Sequence, residues 1–239
     1  YYKNGTKLHI ALKDNKGYNL ADTPITVTIN GVSYNKTTDK NGAVEMNIYL
    51  KPGVYTATVA YAGNKTIGAN SVDAKITVLP TITGNNITKM YQNGTHFSAA
   101  FVNGQGKALA NTKVTFNING VFYTKQTNDK GIANLNIMLR PGHYILTAYN
   151  PVTGDEQGFS IDVKSLIEAS DLTKYYLNAS RFQATIYNKD GSLAVNKEVT
   201  YNINGVFYTK TTDENGVASL GISLRPGNYI ITTIVDGLD

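Results

Sequence analysis

The nine residues "NINGVFYTK" at positions 117–125 recur unchanged at 202–210, and a related stretch, "TINGVSYNK", occupies positions 28–36. An Asn-Gly pair between two strand-like runs is the strongest short-range signal for a β-hairpin, because Asn and Gly tolerate the positive φ angles of a type I′ turn. The sequence therefore predicts the same hairpin three times. The predicted turn residues are Asn30, Gly31, Asn119, Gly120, Asn204 and Gly205.

A two-residue turn also fixes which hairpin residues lie opposite each other, and opposed residues share a face of the sheet. Phe122 then points away from the core, as does Phe207 in the third copy, whereas the first copy has Ser33 there. We therefore predict Phe122 and Phe207 as binding residues that stack on a sugar or a partner protein. The alternative is that other strands or a neighbouring unit cover them. The face predicted for the core of the middle copy consists of Phe116, Ile118, Val121 and Tyr123.

The repeat extends well beyond the hairpin. Four landmarks recur with spacings of 89 and then 85 residues, and a period of that length fits a small domain better than a solenoid repeat of roughly 20–50 residues. The sequence thus predicts three domains, at residues 1–79, 80–164 and 165–239, called the first, middle and third unit below. The landmarks are Tyr2, Tyr91 and Tyr176; Ile29, Ile118 and Ile203; Gly42, Gly131 and Gly216; and Pro52, Pro141 and Pro226.

The middle unit contains about seven short runs rich in β-branched and aromatic residues, each bounded by Gly, Asn, Asp or Pro. This pattern predicts an all-β chain of antiparallel β-sandwiches. Tyr144, two residues after a Pro-Gly turn, is expected to bury its ring and to bond its hydroxyl to the main chain. The first unit is expected to lack its opening strand and the third its closing strand, either as a boundary of the piece or as strands exchanged between molecules.

Composition excludes several classes of site. The chain has 239 residues, no Cys and a formal net charge of +5, with its lysines scattered rather than clustered. The absence of Cys excludes disulfides, thiolate metal sites and cysteine nucleophiles, and scattered basic residues do not indicate nucleic-acid binding. No apolar run approaches the roughly 20 residues of a membrane span. We expect no catalytic residue, metal site or cofactor, because His9, His96 and His143 have no counterparts in the other units and lack a motif.

The pattern "Y-x-N … NINGVxYTKxTxxxG-x-A-x-L-x-I-x-L-R-P-G-x-Y" resembles the Ig-like repeats of large adhesin-like surface proteins. Such repeats are known best in methanogenic archaea, with related invasin-type repeats in bacteria. The stretch "TDENGVASLGISLRPGNYI" also resembles prealbumin-like modules of bacterial surface adhesins. The resemblance covers all three units. It implies three tandem Ig-like sandwiches in a secreted protein that is associated with the cell surface or cell wall and takes part in cell adhesion.

The resemblance also implies two kinds of modification. Adhesins of this type can join a Lys to an Asn or Asp within a domain, which makes Lys89 and Lys174 candidate cross-link lysines. Against this, the acidic position of Asp39 and Asp213 is Asn128 in the middle unit. An exported protein can also be glycosylated at Asn-x-Ser/Thr sites. The candidate glycosylation sites are Asn4, Asn35, Asn64, Asn86, Asn93 and Asn178.

The expected function is a non-enzymatic one, as an extended stalk, an attachment module or both. The alternatives are a glycan- or protein-binding module in its own right and the accessory domains of a secreted carbohydrate-active enzyme. The expected partners are neighbouring repeats of the same chain and a glycan or protein on the surface of another cell.

Overall fold

The computed structural model describes residues 1–238, and within that range it contains 20 β-strands and no helix. The predicted all-β fold class is therefore confirmed. No helix within the described range is long and apolar enough to cross a membrane.

The first unit contains a two-stranded and a four-stranded sheet, in the orders β1-β4 and β3-β2-β5-β6. All of their pairings are antiparallel. The strands are β1 (Lys7–Ala11), β2 (Pro24–Ile29), β3 (Val32–Thr37), β4 (Ala43–Asn47), β5 (Gly53–Tyr61) and β6 (Asn70–Val78).

The middle unit has one strand more than predicted, because residues that read as a link form β7 (Ile82–Gly84). Its sheets have the orders β12-β9-β7 and β11-β10-β13-β14-β8, and the β8–β14 pair is parallel while the others are antiparallel. The remaining strands are β8 (Ile87–Met90), β9 (His96–Phe101), β10 (Lys113–Ile118), β11 (Val121–Gln126), β12 (Ile132–Asn136), β13 (Gly142–Tyr149) and β14 (Glu156–Lys164).

The third unit has six strands in two three-stranded sheets, β15-β16-β19 and β18-β17-β20, which correspond to β7-β9-β12 and β11-β10-β13 of the middle unit. Its first strand, like β7, lies where the sequence indicates only a link. The strands are β15 (Ile167–Ala169), β16 (Arg181–Ile186), β17 (Glu198–Ile203), β18 (Val206–Thr211), β19 (Val217–Gly221) and β20 (Ile231–Ile234).

Buried apolar residues form three separate clusters, one in each unit. In the middle unit the cluster lies between the two sheets, where Phe97 and Phe101 of one sheet contact Phe116 of the other edge-on, at centroid distances of 5.7 and 5.9 Å. Each fully buried Phe contributes about 1.5–3 kcal/mol relative to an exposed one. The period-two alternation of these strands therefore fixes which face each sheet turns inward.

The predicted core face of the hairpin is only partly correct. Phe116 and Ile118 are buried, and Tyr123 packs against the core from its rim. Val121, however, is half exposed, because it lies at the hairpin end of β11, which is an edge strand. The main-chain turn itself has the predicted register, with Ile118 opposite Val121 and Asn117 opposite Phe122.

Candidate binding face and inter-repeat joint

The hairpin turn directs Phe122 to the outer face of the five-stranded sheet. Asn119 and Gly120 have φ angles of 53° and 79°, as a type I′ turn requires, and the first and third hairpins share this geometry. Because Phe122 lies opposite the outward-facing Asn117, its side chain is 66% exposed, and that of Phe207 is 62% exposed. Neither ring is covered by strands of its own unit.

A second aromatic ring lies beside Phe122. The ring centroid of Tyr149 is 6.3 Å away, and the two rings are tilted by 38°. Thr147 lies across the strand pair from Asn117 and shares this outer face, as does Thr115, which lies opposite Tyr149. Aromatic rings beside amide and hydroxyl groups can stack on a sugar ring and bond to its hydroxyls.

The first unit has a different chemistry at the same place. Ser33 replaces the aromatic residue, and its hydroxyl pairs with that of Thr28 at 2.9 Å. Thr58 likewise donates a hydrogen bond to Asp73 at 2.7 Å. An aromatic outer face is therefore a feature of the middle and third units alone.

Lys89 and Lys174, the candidate cross-link lysines, both bind main-chain carbonyls. The Lys89 ammonium donates to the carbonyls of Thr95 and Ile137, at 3.1 and 2.8 Å, and burial lowers the pKa of its amine. Lys174 makes the same pair of contacts in the third unit. These contacts favour lysines that are not cross-linked, because both use the ammonium group as the hydrogen-bond donor. The cross-link stays a prediction, which intact mass tests because each Lys–Asn bond would remove one ammonia.

The candidate glycosylation sites differ in exposure. Five of the six asparagines are exposed, whereas Asn93 is half-buried. Its amide nitrogen Nδ2 donates to the carbonyl of Lys189, in the third unit, at 2.8 Å. A glycan on Asn93 would therefore compete with this contact.

The ion pairs of the described residues are all exposed. Within residues 1–238 there is no group of three or more His, Asp or Glu side chains placed to hold a metal ion. The exposed pair Lys7–Glu45 is 2.7 Å apart, and this contact raises the pKa of Lys7 and lowers that of Glu45. His143 lies 2.8 Å from Asp162 on the outer sheet face, and His9 lies 3.3 Å from Glu45.

Each unit contains a five-residue hairpin turn that we call the docking turn, and in the middle and third units this turn lies against the preceding unit. It comprises residues 14–18, 103–107 and 188–192, and in each copy the first residue donates from its main-chain N–H to the carbonyl of the last. A Cβ on Gly104 would lie 2.8 Å from the carbonyl oxygen of Lys3, and one on Gly106 would overlap the Tyr1 ring. The main chain of the docking turn thus lies directly against the first unit.

The second joint uses the same positions. Met90 and Asn93 correspond to Tyr1 and Asn4, and they contact Gly191 and Lys189 of the next docking turn. Asn93 itself is held in place because its Oδ1 accepts from the main-chain N–H of Thr95 at 2.9 Å. The joint is therefore part of the repeat.

A buried polar network at the first joint was not predicted. Thr81, Asn150 and Asp155 are nearly inaccessible to solvent, and Asp155 Oδ2 accepts from the main-chain N–H of Thr81 at 2.7 Å. Asn150 donates to the carbonyls of Thr81 and Val102. The network has no repeat signal, because Leu166 stands where Thr81 would recur in the third unit. The polar loop at 150–155 was the only sequence hint of it.

Comparison with family models and with curated protein sequences finds no match. Similar solved structures include the Bacteroides ovatus mixed-linkage glucan utilization locus protein SGBP-B in complex with a mixed-linkage heptasaccharide, at 17% identity over 98% of this chain and 59% of that one, with a TM-score of 0.27. A Ca²⁺-stabilized, ice-binding adhesin of an Antarctic bacterium has 18% identity over 96% of this chain and 68% of its own, with a TM-score of 0.26. Trypsin-activated alpha-2-macroglobulin from Escherichia coli has 9% identity over 98% of this chain and 21% of its own, with a TM-score of 0.42.

This chain thus spans 59% of the length of the Bacteroides ovatus protein. At these identities and TM-scores the likenesses carry no argument about what the chain binds.

Proposed function

We propose that the chain is a run of three independently folding Ig-like domains, at residues 1–79, 80–164 and 165–239. They serve as an extended stalk and attachment module of an extracellular, cell-surface or cell-wall protein, without enzymatic activity. The three separate cores support this division, since each unit buries its own apolar face.

The observation that carries the proposal is the joint that recurs between consecutive units. The first joint lies beside loop 150–155, where β14 begins, and the second lies beside Tyr91 and Ser165, where β14 ends. Because the joints lie at opposite ends of the middle unit, they arrange the units in a row. A spacer requires such an arrangement, and an enzyme does not.

Surface area supports the same conclusion. The chain exposes 14858 Å², whereas a compact globular chain of 25.9 kDa exposes about 10,500 Å². The excess is the expected consequence of three small domains in a row.

Small-angle X-ray scattering tests the stalk. A row with strands of about 30 Å in each unit is about 100 Å long and has a radius of gyration near 30 Å, against about 18 Å for a compact chain of this length. We expect the larger value, together with retention of the labelled chain on cells or wall material. A compact particle would contradict the stalk.

A second candidate function is direct recognition of a glycan or protein on another cell. The exposed Phe122 beside Tyr149 favours it, as does the recurrence of the aromatic residue as Phe207. The double variant Phe122→Ala/Phe207→Ala should reduce binding to cells or glycans, whereas Val152→Ala, an exposed apolar residue in a loop, should not. Unchanged binding of the double variant would remove the aromatic face from consideration.

A further inference from the structure

We propose that the middle unit is a load-bearing element, in which β8 and β14 resist tension by shear and the Lys89 side chain holds β8 to the opposite sheet. This inference rests on the proposed stalk function for its setting, because a stalk is under tension when it is held at both ends. It deepens that function by naming the strand pair and the side chain that carry the load.

The direction of the load follows from the topology. The chain enters the middle unit through residues 79–81, beside loop 150–155, and leaves it at residue 165, directly after β14. Since β14 runs from that loop to residue 164, the entry and exit points lie at opposite ends of the strand. Tension on the chain is therefore directed along β8 and β14.

The parallel pairing of these strands turns that tension into shear. Ile87 lies opposite Ile161 and Met90 opposite Lys164, and the main-chain N–H of Tyr91 adds a bond to the carbonyl of Lys164 at 2.9 Å. Tension pulls β8 towards the first unit and β14 towards the third. The hydrogen bonds between the strands are then loaded together. Their joint rupture is the barrier to unfolding, and forced unfolding is governed by the rate of crossing it.

Lys89 strengthens the attachment of β8. Its side chain extends from β8 across to the other sheet, where Thr95 precedes β9 and Ile137 follows β12. Lys89 is only 5% exposed, so water does not replace these contacts readily. Hydrogen bonds from a charged donor are about twice as strong as neutral ones. β8 is thus held to both sheets of the sandwich.

The third unit contains the same lysine contacts, although residues 171–175 form no strand there. Lys174 donates to the carbonyls of Ser180 and Ile222, at 2.9 and 2.8 Å, and all three residues correspond to those of the middle unit. The repetition shows that the lysine belongs to the domain plan rather than to one accident of packing.

Pulling in two directions tests the proposal. The chain has no Cys, so introduced cysteines give unique handles. Handles at Leu79→Cys and Lys164→Cys load the middle unit along its strands, whereas handles at Gln92→Cys and Lys164→Cys lie side by side at one end of the pair and peel β8 from β14. We expect an unfolding force at least about twofold higher in the first geometry, because shear breaks the bonds together. Equal forces would overturn the proposal.

The lysine is tested in the first geometry. Lys89→Met keeps most of the side-chain volume but leaves two carbonyls without their donor, and we expect unfolding under load to become roughly tenfold faster. The control is Lys113→Met, on an exposed position of β10. Equal rates for the two variants would overturn the role of Lys89. If Lys89→Met does not fold, the comparison of pulling directions in the unsubstituted chain still decides the load-bearing proposal.

Failure of this inference is distinguishable from failure of the stalk. An extended scattering profile with equal forces in both directions would retain the stalk and reject load bearing. A compact scattering profile would reject the stalk whatever the forces.

Discussion

Tyr201 shows how one hydroxyl distinguishes two otherwise similar cores. It occupies the position of Phe116 in the middle unit, is fully buried, and donates to the carbonyl of Ala218 at 2.9 Å. Burial raises the pKa of its phenol from 10.0 to about 12. The unfolded chain therefore ionises this group at a lower pH than the folded chain does.

The first prediction is that Tyr201→Phe lowers the free energy of unfolding at neutral pH and raises it at the alkaline end. At neutral pH the variant should be less stable by about 1 kcal/mol, the contribution of one hydrogen bond. Because the folded pKa is raised, the stabilisation by Tyr201 is fully present below pH 10 and is lost as pH rises to about 12. The loss is on the order of 2–3 kcal/mol, so the variant should become the more stable chain at the alkaline end.

Urea titrations across this pH window measure the effect. The other tyrosines ionise in both chains, so the difference between the chains isolates Tyr201. A difference in free energy of unfolding that does not change with pH would contradict the burial argument.

The hydroxyl of Thr127 joins two main-chain segments of the middle unit. Its hydroxyl donates to the carbonyl of Leu109 at 2.5 Å and accepts from the main-chain N–H of Thr112 at 2.9 Å. Thr38 and Thr212 make the same pair of bonds in the other units. The hydroxyl thus ties the end of β11 to the segment before β10.

The second prediction concerns this hydroxyl. Thr127→Val keeps the shape but leaves a buried N–H and carbonyl without a partner, and should lower the free energy of unfolding of the middle unit by about 2 kcal/mol. Thr124→Val, at an exposed position of β11, should change it little. Hydrogen exchange of peptides from the middle unit measures both, and equal protection in the two variants would contradict the prediction.

At the scale of elements, two glycine turns show the effect of backbone strain with and without a steric contact. Gly120 and Gly131 both have positive φ, at 79° and 75°. A Cβ on Gly120 would meet nothing within 4 Å, whereas one on Gly131 would lie 2.6 Å from the carbonyl oxygen of Phe101. Alanine at Gly120 therefore adds backbone strain alone, and at Gly131 it also displaces a strand.

The third prediction follows from this pair. Gly120→Ala should lower the free energy of unfolding by about 1–2 kcal/mol, the cost of a left-handed conformation for a residue with a Cβ. Gly131→Ala should cost at least about twice as much, because the close approach to β9 is lost as well. Urea unfolding of the two variants gives the comparison, and equal losses would show that the contact at Gly131 relaxes freely.

The sequence predicts the elements whose conformation depends on residues adjacent in the chain. The Asn-Gly hairpins and their register follow from turn geometry, and the Tyr144 hydroxyl donates to the carbonyl of Arg140 at 2.9 Å, as predicted. The strand β7 was not predicted, because three residues are too few to show alternation. The network around Asp155 was not predicted either, since it depends on a contact between residues 74 positions apart. The exposure of Phe122 was predictable from the hairpin register. The position of Tyr149 beside it was not, because it depends on the pairing of β10 with β13.

On the scale of the whole molecule, the joint decides whether the units move together. Short links limit relative motion only when the units also contact each other. Asn93 supplies such a contact, and Asn178 occupies the same position in the third unit with the same local bond, from the main-chain N–H of Ser180. The two asparagines therefore form a matched pair, in which Asn93 has an added bond across the joint.

The last prediction uses this pair. Both Asn93→Ala and Asn178→Ala lose the local turn bond, but Asn93→Ala also loses the bond to the Lys189 carbonyl. Loss of one hydrogen bond should raise the open population of the second joint roughly fivefold. Spin labels at Thr124→Cys and Thr209→Cys, both exposed, report the distance between the middle and third units. Asn93→Ala should broaden that distance distribution and Asn178→Ala should leave it unchanged. Equal widths would mean that the bond between Asn93 and the Lys189 carbonyl contributes no measurable constraint to the joint.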